Sequence, residues 1–195
     1  ICLVDRGVSS PDEHHSSGAA MVRFLSVARR AWSRPGIAGS ESIVRWIRAK
    51  NISIISDIEL FGRYVKAPMI GITGSNGKST VTQLLGEMAL ASSLKAYICG
   101  NIGNPVMECI SDDAELYIVE LSSYQLDYTN KLDLFAGVIT NISPDHLDRY
   151  SSYSNYISSK LSIYDYSMFN IINLNEPEVN GISGDNFFSI EKNES

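Results

Sequence analysis

The stretch Gly71-Ile-Thr-Gly-Ser-Asn-Gly-Lys-Ser-Thr80 decides the fold of this chain. It overlaps the end of an apolar run, residues 67–73, that predicts a short buried strand. Behind it, apolar side chains recur at helical spacing, at Val81, Leu84, Leu85 and Met88. A strand, a glycine-rich turn and a helix in this order point successive backbone N–H groups into one concavity at a helix N-terminus. Such a loop is typical of phosphate binding.

Phosphate binding assigns roles to the polar residues of this loop. Lys78 is expected to reach the terminal phosphates, and the hydroxyl of Ser79 is expected to be a magnesium ligand. The glycine spacing departs from the general phosphate-loop pattern, because Ile72 stands five residues before Gly77, where that pattern has glycine. The sequence therefore predicts a phosphate-binding loop of variant spacing.

The composition excludes several classes of function. With 195 residues, 44% of them hydrophobic, the chain can hold one large domain or two small ones with a real core. A net charge of −6 offers no electrostatic footprint for nucleic acid, and the arginines of residues 23–34 come without an aromatic platform. The sequence has no signal peptide and no apolar run long enough to cross a bilayer, and its 3 cysteines lack metal-ligand spacing. We therefore expect a cytoplasmic protein without a nucleic-acid partner or membrane insertion.

Strand and helix patterns alternate along the chain. Strands are predicted over residues 1–5, 52–55, 67–73, 95–99, 116–121, 135–142 and, as the last one, 170–174. Helices are predicted over 40–50, behind the glycine loop, from Asn104 and Pro105, and over 152–166, while 21–32 stays ambiguous. In the last helix, Tyr153, Ile157, Leu161 and Tyr164 form a stripe that predicts core packing. This alternation predicts an α/β fold with a doubly wound, mostly parallel sheet.

Several polar residues follow predicted strands directly. In open α/β sheets ligands bind outside the carboxyl ends of the strands, so the glycine loop, Asn101, Glu120 and His146 are expected to face one crevice. A carboxylate at the end of an apolar run, such as Glu120, fits either a magnesium ligand or a structural ion pair. Asp5, which ends the first strand, fits either a nucleotide-sugar contact or a turn cap.

Two further ionisable residues stay open at this point. His146 is flanked by Asp145 and Asp148, which either orient it as a ligand or base or leave it as an exposed loop residue. Lys160, in the middle of a predicted helix, is by pattern alone a solvated surface lysine.

Four co-linear motifs resemble the ATP-dependent Mur ligases of peptidoglycan synthesis. They are GITGSNGKST at 71–80, GNIGNP at 100–105, ELSSYQLDYT at 120–129 and NISPDHLDRY at 141–150. The segments ELSSYQL and 56–80 are similar to the branch of this family that adds D-glutamate to UDP-N-acetylmuramoyl-L-alanine. The resemblance is strong between residues 52 and 174.

The resemblance implies roles for individual residues. The family pattern places an ATP loop at Gly74, Ser75, Asn76, Gly77, Lys78, Ser79 and Thr80. It places the first of two magnesium ions on Ser79 and Glu120, and the second on His146 and on Lys160 carried as a carbamate. Contacts to the muramoyl-alanine substrate match Asn101, Ser122 and Gln125, and the uracil-side acid matches Asp5.

The implied activity is ATP-dependent formation of an amide bond by a monomer, with Lys78, His146 and Lys160 as catalytic residues. The alanine carboxylate of the nucleotide sugar takes the γ-phosphoryl group of ATP, and the amine of D-glutamate then attacks the acyl phosphate. Alternatives are another Mur or folylpolyglutamate-type amide ligase, a P-loop nucleotide-binding switch, or a non-catalytic P-loop remnant.

The resemblance also implies a domain organisation. Residues 1–66 match part of an N-terminal domain that binds the UDP substrate, and 67–195 match part of the central ATPase domain. The C-terminal, amino-acid-binding domain has no counterpart, so we expect the fragment alone to be inactive. Arg34 separates Ser33 from Pro35 where the family usually reads Ser-Pro-Gly-Ile, which leaves the nucleotide-sugar contact open there.

Overall fold

The computed structural model of the chain describes residues 2–5, 44–45, 49, 53–182, 184 and 186–189. The predictions for residues 21–37 lie outside this part. Residues 44, 45 and 49 are helical, in agreement with the helix predicted over 40–50.

Strands and helices alternate over much of the described chain. The strands are β1 (Cys2–Asp5), β2 (Ser53–Ser56), β3 (Met69–Thr73), β4 (Ala96–Gly100), β5 (Leu116–Glu120), β6 (Leu134–Ile139), β7 (Ser167–Asn173) and β8 (Asn186–Phe188). The α-helices are α1 (Asp57–Gly62), α2 (Lys78–Ala91), α3 (Ser123–Leu126) and α4 (Tyr153–Asp165), and 3-10 turns occur at Val106–Glu108 and Pro177–Val179.

The strands form two sheets. β1 and β2 pair antiparallel in a two-stranded sheet, whereas the other six form one sheet of order β4-β5-β3-β6-β7-β8. Every pair of neighbours in the larger sheet is parallel. This confirms the mostly parallel sheet, and it puts β3, with its glycine loop, directly between β5 and β6.

Helices cover both faces of the larger sheet. A Cβ added to Gly71 would lie 3.2 Å from Ile163 on α4. The next residue, Ile72, packs in a buried cluster with Ala89 on α2 and Ile118 on β5. Because successive strand residues point to opposite faces, α4 and α2 lie on opposite sides of the sheet, which is the doubly wound arrangement.

Caps explain where two of the helices begin. α4 starts after Ser152, whose hydroxyl accepts a hydrogen bond from the Asn155 N–H at 3.2 Å, so it matches the predicted range 152–166 closely. α1 was not predicted. Its N-cap is Ser56, which accepts from the Glu59 N–H at 2.9 Å, and at six residues it is too short to show a helical period.

Three details of the predicted elements were wrong. Leu84 and Met88 are 59% and 57% exposed, because the buried face of α2 is formed by Thr82, Gly86 and Ala89. No α-helix starts at Asn104 and Pro105, since Pro105 caps only the 3-10 turn Val106–Glu108. The predicted last strand is followed by β8, whose three residues carry no alternating pattern.

The stripe predicted for α4 is only partly right. Tyr164 is buried, whereas Tyr153, Ile157 and Leu161 are partly buried at the edge of the core. The buried face is centred instead on Tyr156, Lys160 and Ile163.

Cys99 and Cys109 are free and buried. Among the described residues, no helix has the length and apolar character that a membrane span requires.

Candidate ATP and metal site

The glycine loop leaves β3 at Thr73 and enters α2 at Lys78, as predicted. Gly74 has a φ of 148°, and a Cβ there would lie 1.9 Å from Oγ1 of Thr140, so only glycine fits against the loop that follows β6. Gly77 has a φ of 76° and is the N-cap of α2. The variant spacing therefore still delivers the chain into a helix N-terminus.

The loop after β6 holds the glycine loop from one side. Ser75 is buried. Its backbone N–H donates to the carbonyl oxygen of Asn141 at 2.8 Å, and its hydroxyl donates to the carbonyl oxygen of Ser143 at 2.9 Å. The N–H of Asn76 donates to Oδ1 of Asn141 at 2.9 Å. Asn141 was missed in the sequence, although it opens the NISPDHLDRY motif, because only the parallel pairing of β3 with β6 brings it here.

Lys78 folds back over the glycine loop. Its ammonium group donates to the carbonyl oxygens of Gly74 at 2.8 Å and Ser75 at 3.0 Å. Ser79 and Thr80, the next two residues of α2, are exposed. A cation and hydroxyls are thus gathered at the N-terminus of α2, which is the end of a helix that favours anions.

Glu120 lies at the centre of the site. It is 1% exposed, its Oε2 accepts a hydrogen bond from the Ser79 hydroxyl at 2.7 Å, and its Oε1 accepts one from Nδ2 of Asn101 at 2.9 Å. Within the described part of the chain it forms no salt bridge. β3, β4 and β5 end side by side, and this brings two predicted residues, Ser79 and Asn101, into contact with Glu120.

Lys160 is not a surface residue. It is 2% exposed, and its ammonium group donates to the Gly74 carbonyl oxygen at 2.8 Å, the same oxygen that Lys78 contacts. Burial, reinforced by the positive charge of Lys78, lowers the pKa of Lys160 to about 7. The prediction of a solvated surface lysine is therefore wrong, because α4 turns this position inward against β3.

His146 lies in the loop between β6 and α4. Its side chain is 48% exposed. Its backbone N–H donates to Oδ1 of Asp145 at 2.8 Å, and its ring Nε2 lies 3.4 Å from Oδ2 of the same carboxylate. Its ring also contacts that of Tyr124, with centroids 5.1 Å apart. Asp145 therefore contacts both the backbone and the ring of His146, and the role of this histidine as a ligand or base stays a prediction.

Ser122 and Gln125 form the cap of α3. The Ser122 hydroxyl accepts from the Gln125 N–H at 3.2 Å, and Oε1 of Gln125 accepts from the Ser122 N–H at 3.0 Å. Nε2 of Gln125 donates to the buried carboxylate of Asp57 at 3.2 Å, and burial raises the pKa of Asp57. Asp57 was missed because its contact with Gln125 joins residues 68 positions apart in the sequence. Asp5 ends β1, and its side chain lies outside the described residues.

The oxygen atoms of Ser79 and Glu120 fit one magnesium ion whose other ligands are phosphate oxygens and waters. Ser79 and Glu120 offer two oxygen atoms in contact, and Mg²⁺ takes one or two protein oxygens beside phosphate oxygens and waters. No cluster of three or more His, Cys, Asp or Glu side chains occurs in the part of the chain that the structure describes. A second metal would therefore depend on His146 and on a modified Lys160.

Comparison with known proteins places this site in a family. Residues 72–192 match the family model described as the Mur ligase middle domain. The chain belongs to the Mur ligase family.

Curated relatives carry one name. The chain is 45% identical over 147 residues to UDP-N-acetylmuramoylalanine--D-glutamate ligase of Pseudomonas savastanoi pv. phaseolicola, covering 75% of this chain and 33% of that protein. It is 44% identical over 171 residues to the protein of the same name from Vibrio cholerae serotype O1, covering 88% of this chain and 39% of that protein. The chain thus spans about a third of the length of the curated relatives it matches.

Solved structures share the fold. A UDP-N-acetylmuramoyl-L-alanyl-D-glutamate--2,6-diaminopimelate ligase superposes with a TM-score of 0.56 at 19% identity, over 71% of this chain and 35% of that one. A pseudomurein peptide ligase type C from Methanothermus fervidus gives a TM-score of 0.52 at 27% identity, over 67% and 28%.

Proposed function

We propose that this chain is part of an ATP-dependent ligase that adds D-glutamate to UDP-N-acetylmuramoyl-L-alanine in peptidoglycan synthesis. The observation that carries the proposal is the contact between Ser79 and Glu120 beside a lysine-bearing loop at a helix N-terminus. The choice of substrates rests on the curated relatives of 42–45% identity. We further propose that the complete protein works as a cytoplasmic monomer on small-molecule substrates.

The glycine loop and Lys78 are proposed to bind the phosphates of ATP. Ser79 and Glu120 would hold the magnesium ion that neutralises the phosphate charge when it is bound. Lys78 would turn from the carbonyl oxygens of Gly74 and Ser75 to the β- and γ-phosphates, since its present partners are neutral and a phosphate is not.

The second set of proposed ligands is His146 and Lys160. A lysine forms a carbamate only from its neutral amine, and a pKa of about 7 leaves much of Lys160 neutral at physiological pH. The carbamate is an anion, so it would offset the positive charge that Lys78 places nearby. This supports the modification implied by the family pattern.

Asn101, Ser122 and Gln125 are proposed to face the muramoyl-alanine substrate, with Asp5 on the uracil side. Asn101 donates one amide hydrogen to Glu120, which leaves its amide oxygen and its other hydrogen for the substrate. The partly buried Ser122 stands two residues after Glu120, next to the proposed ATP site.

The proposed reaction has two steps. The alanine carboxylate attacks the γ-phosphorus of ATP while Lys78 stabilises charge on the phosphoryl oxygens, and ADP leaves. The amine of D-glutamate then attacks the carbonyl carbon of the acyl phosphate, loses a proton, and expels inorganic phosphate as the amide forms. The protein binds and orients the reactants and forms no covalent bond to them.

The test measures phosphate release by the complete encoded chain. We expect release to require ATP, Mg²⁺, UDP-N-acetylmuramoyl-L-alanine and D-glutamate together. Release with a diamino acid and the dipeptide substrate, but not with D-glutamate, would assign the chain to another Mur ligase. No ATP binding at all would favour a non-catalytic remnant.

Replacing Lys160 with alanine is expected to lower the rate at least 10-fold, because the proposed carbamate is lost. Short carboxylates such as formate or acetate fit the space left by the side chain and should restore part of the activity. In the unmutated protein, activity should fall as the pH drops below about 7, since protonated Lys160 cannot react with carbon dioxide.

Rates measured with and without formate check this expectation. Lys95→Ala is the matched control, because the Lys95 side chain is 62% exposed and follows the C-terminal end of α2, whereas the loop precedes its N-terminal end. A normal rate in Lys160→Ala would show that the buried amine has no part in the reaction.

A further inference from the structure

His146 adopts an unusual backbone conformation. Its φ is 51°, in the left-handed region that residues other than glycine enter at a cost. It belongs to neither a strand nor a helix, and half of its side chain is exposed. Asp145 binds it within the loop, but that carboxylate is itself 47% exposed. Both members of this pair face water, so the pair alone holds the imidazole only weakly.

Tyr124 is the neighbouring helical side chain that the imidazole contacts. The two ring centroids are 5.1 Å apart, with planes at 52°. Tyr124 lies on α3, which the Ser122 cap fixes at its start, and the Ser123 carbonyl oxygen accepts a hydrogen bond from Ser159 on α4 at 2.9 Å. The tyrosine ring is thus anchored to the sheet through the strand that carries Glu120.

Arg149 covers the same tyrosine ring. Its guanidinium carbon lies 3.9 Å from the ring centroid, and its side chain is only 8% exposed. Nη2 is 3.4 Å from the Asp127 carboxylate, and Nη1 is buried without a hydrogen-bond partner. The contact from Nη2 to Asp127 is long, and a buried N–H without a partner costs about 1–3 kcal/mol, so polar contacts account for only part of this placement. The contact with the Tyr124 ring adds to it, and the planar guanidinium suits such a contact.

We infer that Tyr124 and Arg149 are positioning residues that fix the His146 imidazole in the orientation needed to bind a metal ion. The inference rests on the proposed role of His146 as a ligand. Arg149 acts from both ends, because its own N–H also donates to the His146 carbonyl oxygen at 3.0 Å and closes the turn that sets the histidine backbone. The described residues provide no hydrogen bond to the Tyr124 hydroxyl, so the aromatic ring makes the contacts with His146 and Arg149 on which the inference depends.

Nuclear magnetic resonance of histidine-labelled complete chain tests the contact without any assay of activity. The His146 ring signals, assigned by their loss in His146→Gln, should carry an upfield ring-current shift. Tyr124→Phe should keep this shift, and Tyr124→Leu should remove it. Tyr64→Leu is the matched control, because Tyr64 is 43% exposed and remote from the histidine.

Titration with Mn²⁺ in the presence of ADP tests the purpose of the contact. Paramagnetic broadening of the His146 signals should need about 10-fold more Mn²⁺ in Tyr124→Leu than in Tyr124→Phe, as is usual when the support of a ligand is removed. Arg149→Lys keeps the positive charge but loses the planar group that lies over Tyr124. It should therefore reduce the ring-current shift of His146 and raise the Mn²⁺ concentration needed for broadening. This variant replaces Tyr124→Leu as the test if Tyr124→Leu fails to fold.

Three results would overturn the inference: an unchanged His146 shift in Tyr124→Leu, an unchanged Mn²⁺ requirement, or no Mn²⁺ effect on His146 in the unmutated chain. Failure of the proposed function has a different signature, because phosphate release would then be missing while the ring-current shift and its response to Tyr124→Leu remain.

Discussion

Replacing Lys78 with alanine in the complete chain is expected to lower ATP-dependent phosphate release about 1000-fold. Lys78 is the only side chain of the glycine loop that carries a positive charge, and its ammonium group already lies within 3.0 Å of the loop carbonyl oxygens. A preorganised donor facing charge that develops in the transition state is typically worth 10²–10³ in rate, and a full charge on a phosphoryl group belongs at the upper end. The loss corresponds to about 4 kcal/mol of activation free energy.

Steady-state kinetics with ATP as the varied substrate measures this loss. Lys66→Ala is the control, because Lys66 is an exposed lysine that precedes the N-terminal end of β3, whereas the loop follows the C-terminal end of that strand. Lys78→Arg keeps the charge but not the length, so it should recover only a small part of the rate. If Lys78→Ala retained a tenth or more of the activity, the glycine loop would not be the site of phosphoryl transfer.

The second large effect is expected from Glu120→Gln, which should lower the rate at least 100-fold and raise the Mg²⁺ concentration needed for half-maximal activity. The substitution keeps the shape of a side chain that is 1% exposed, and the Asn101 amide can turn to offer its oxygen to the new amide group. What is lost is the negative charge in contact with the Ser79 hydroxyl. Hard divalent cations bind carboxylates far better than amides.

Two measurements distinguish a loss of metal binding from a loss of stability in Glu120→Gln. Thermal unfolding of Glu120→Gln should stay close to that of the unmutated chain, because the buried hydrogen bonds can be remade. Ser79→Ala is the companion variant; it removes the other proposed ligand and should raise the Mg²⁺ requirement in the same direction. A Glu120→Gln protein with normal Mg²⁺ dependence and lowered stability would make Glu120 a structural residue instead.

The sequence alone predicted the framework of the site well. The apolar run before Thr73, the glycines and the polar start of α2 describe a strand, turn and helix, because these signals are local and act within a few residues. The same holds for α4, whose start at Ser152 is a cap that the sequence shows directly. The shift of the buried faces of α2 and α4 was not predictable in this way, since it depends on which neighbour each helix meets.

Lys160 shows most clearly what only the tertiary structure decided. In the sequence it is a lysine in a helix, and its placement against Gly74 follows from the packing of α4 on β3 across 86 residues of chain. Burial and the nearness of Lys78 then lower its pKa, and neither exists before the chain folds. Asn141, Asp57 and the Tyr124–Arg149 contact share this origin. Local chemistry determined the phosphate loop, whereas long-range packing chose the side chains that surround it, because burial and electrostatic coupling belong to the assembled sheet.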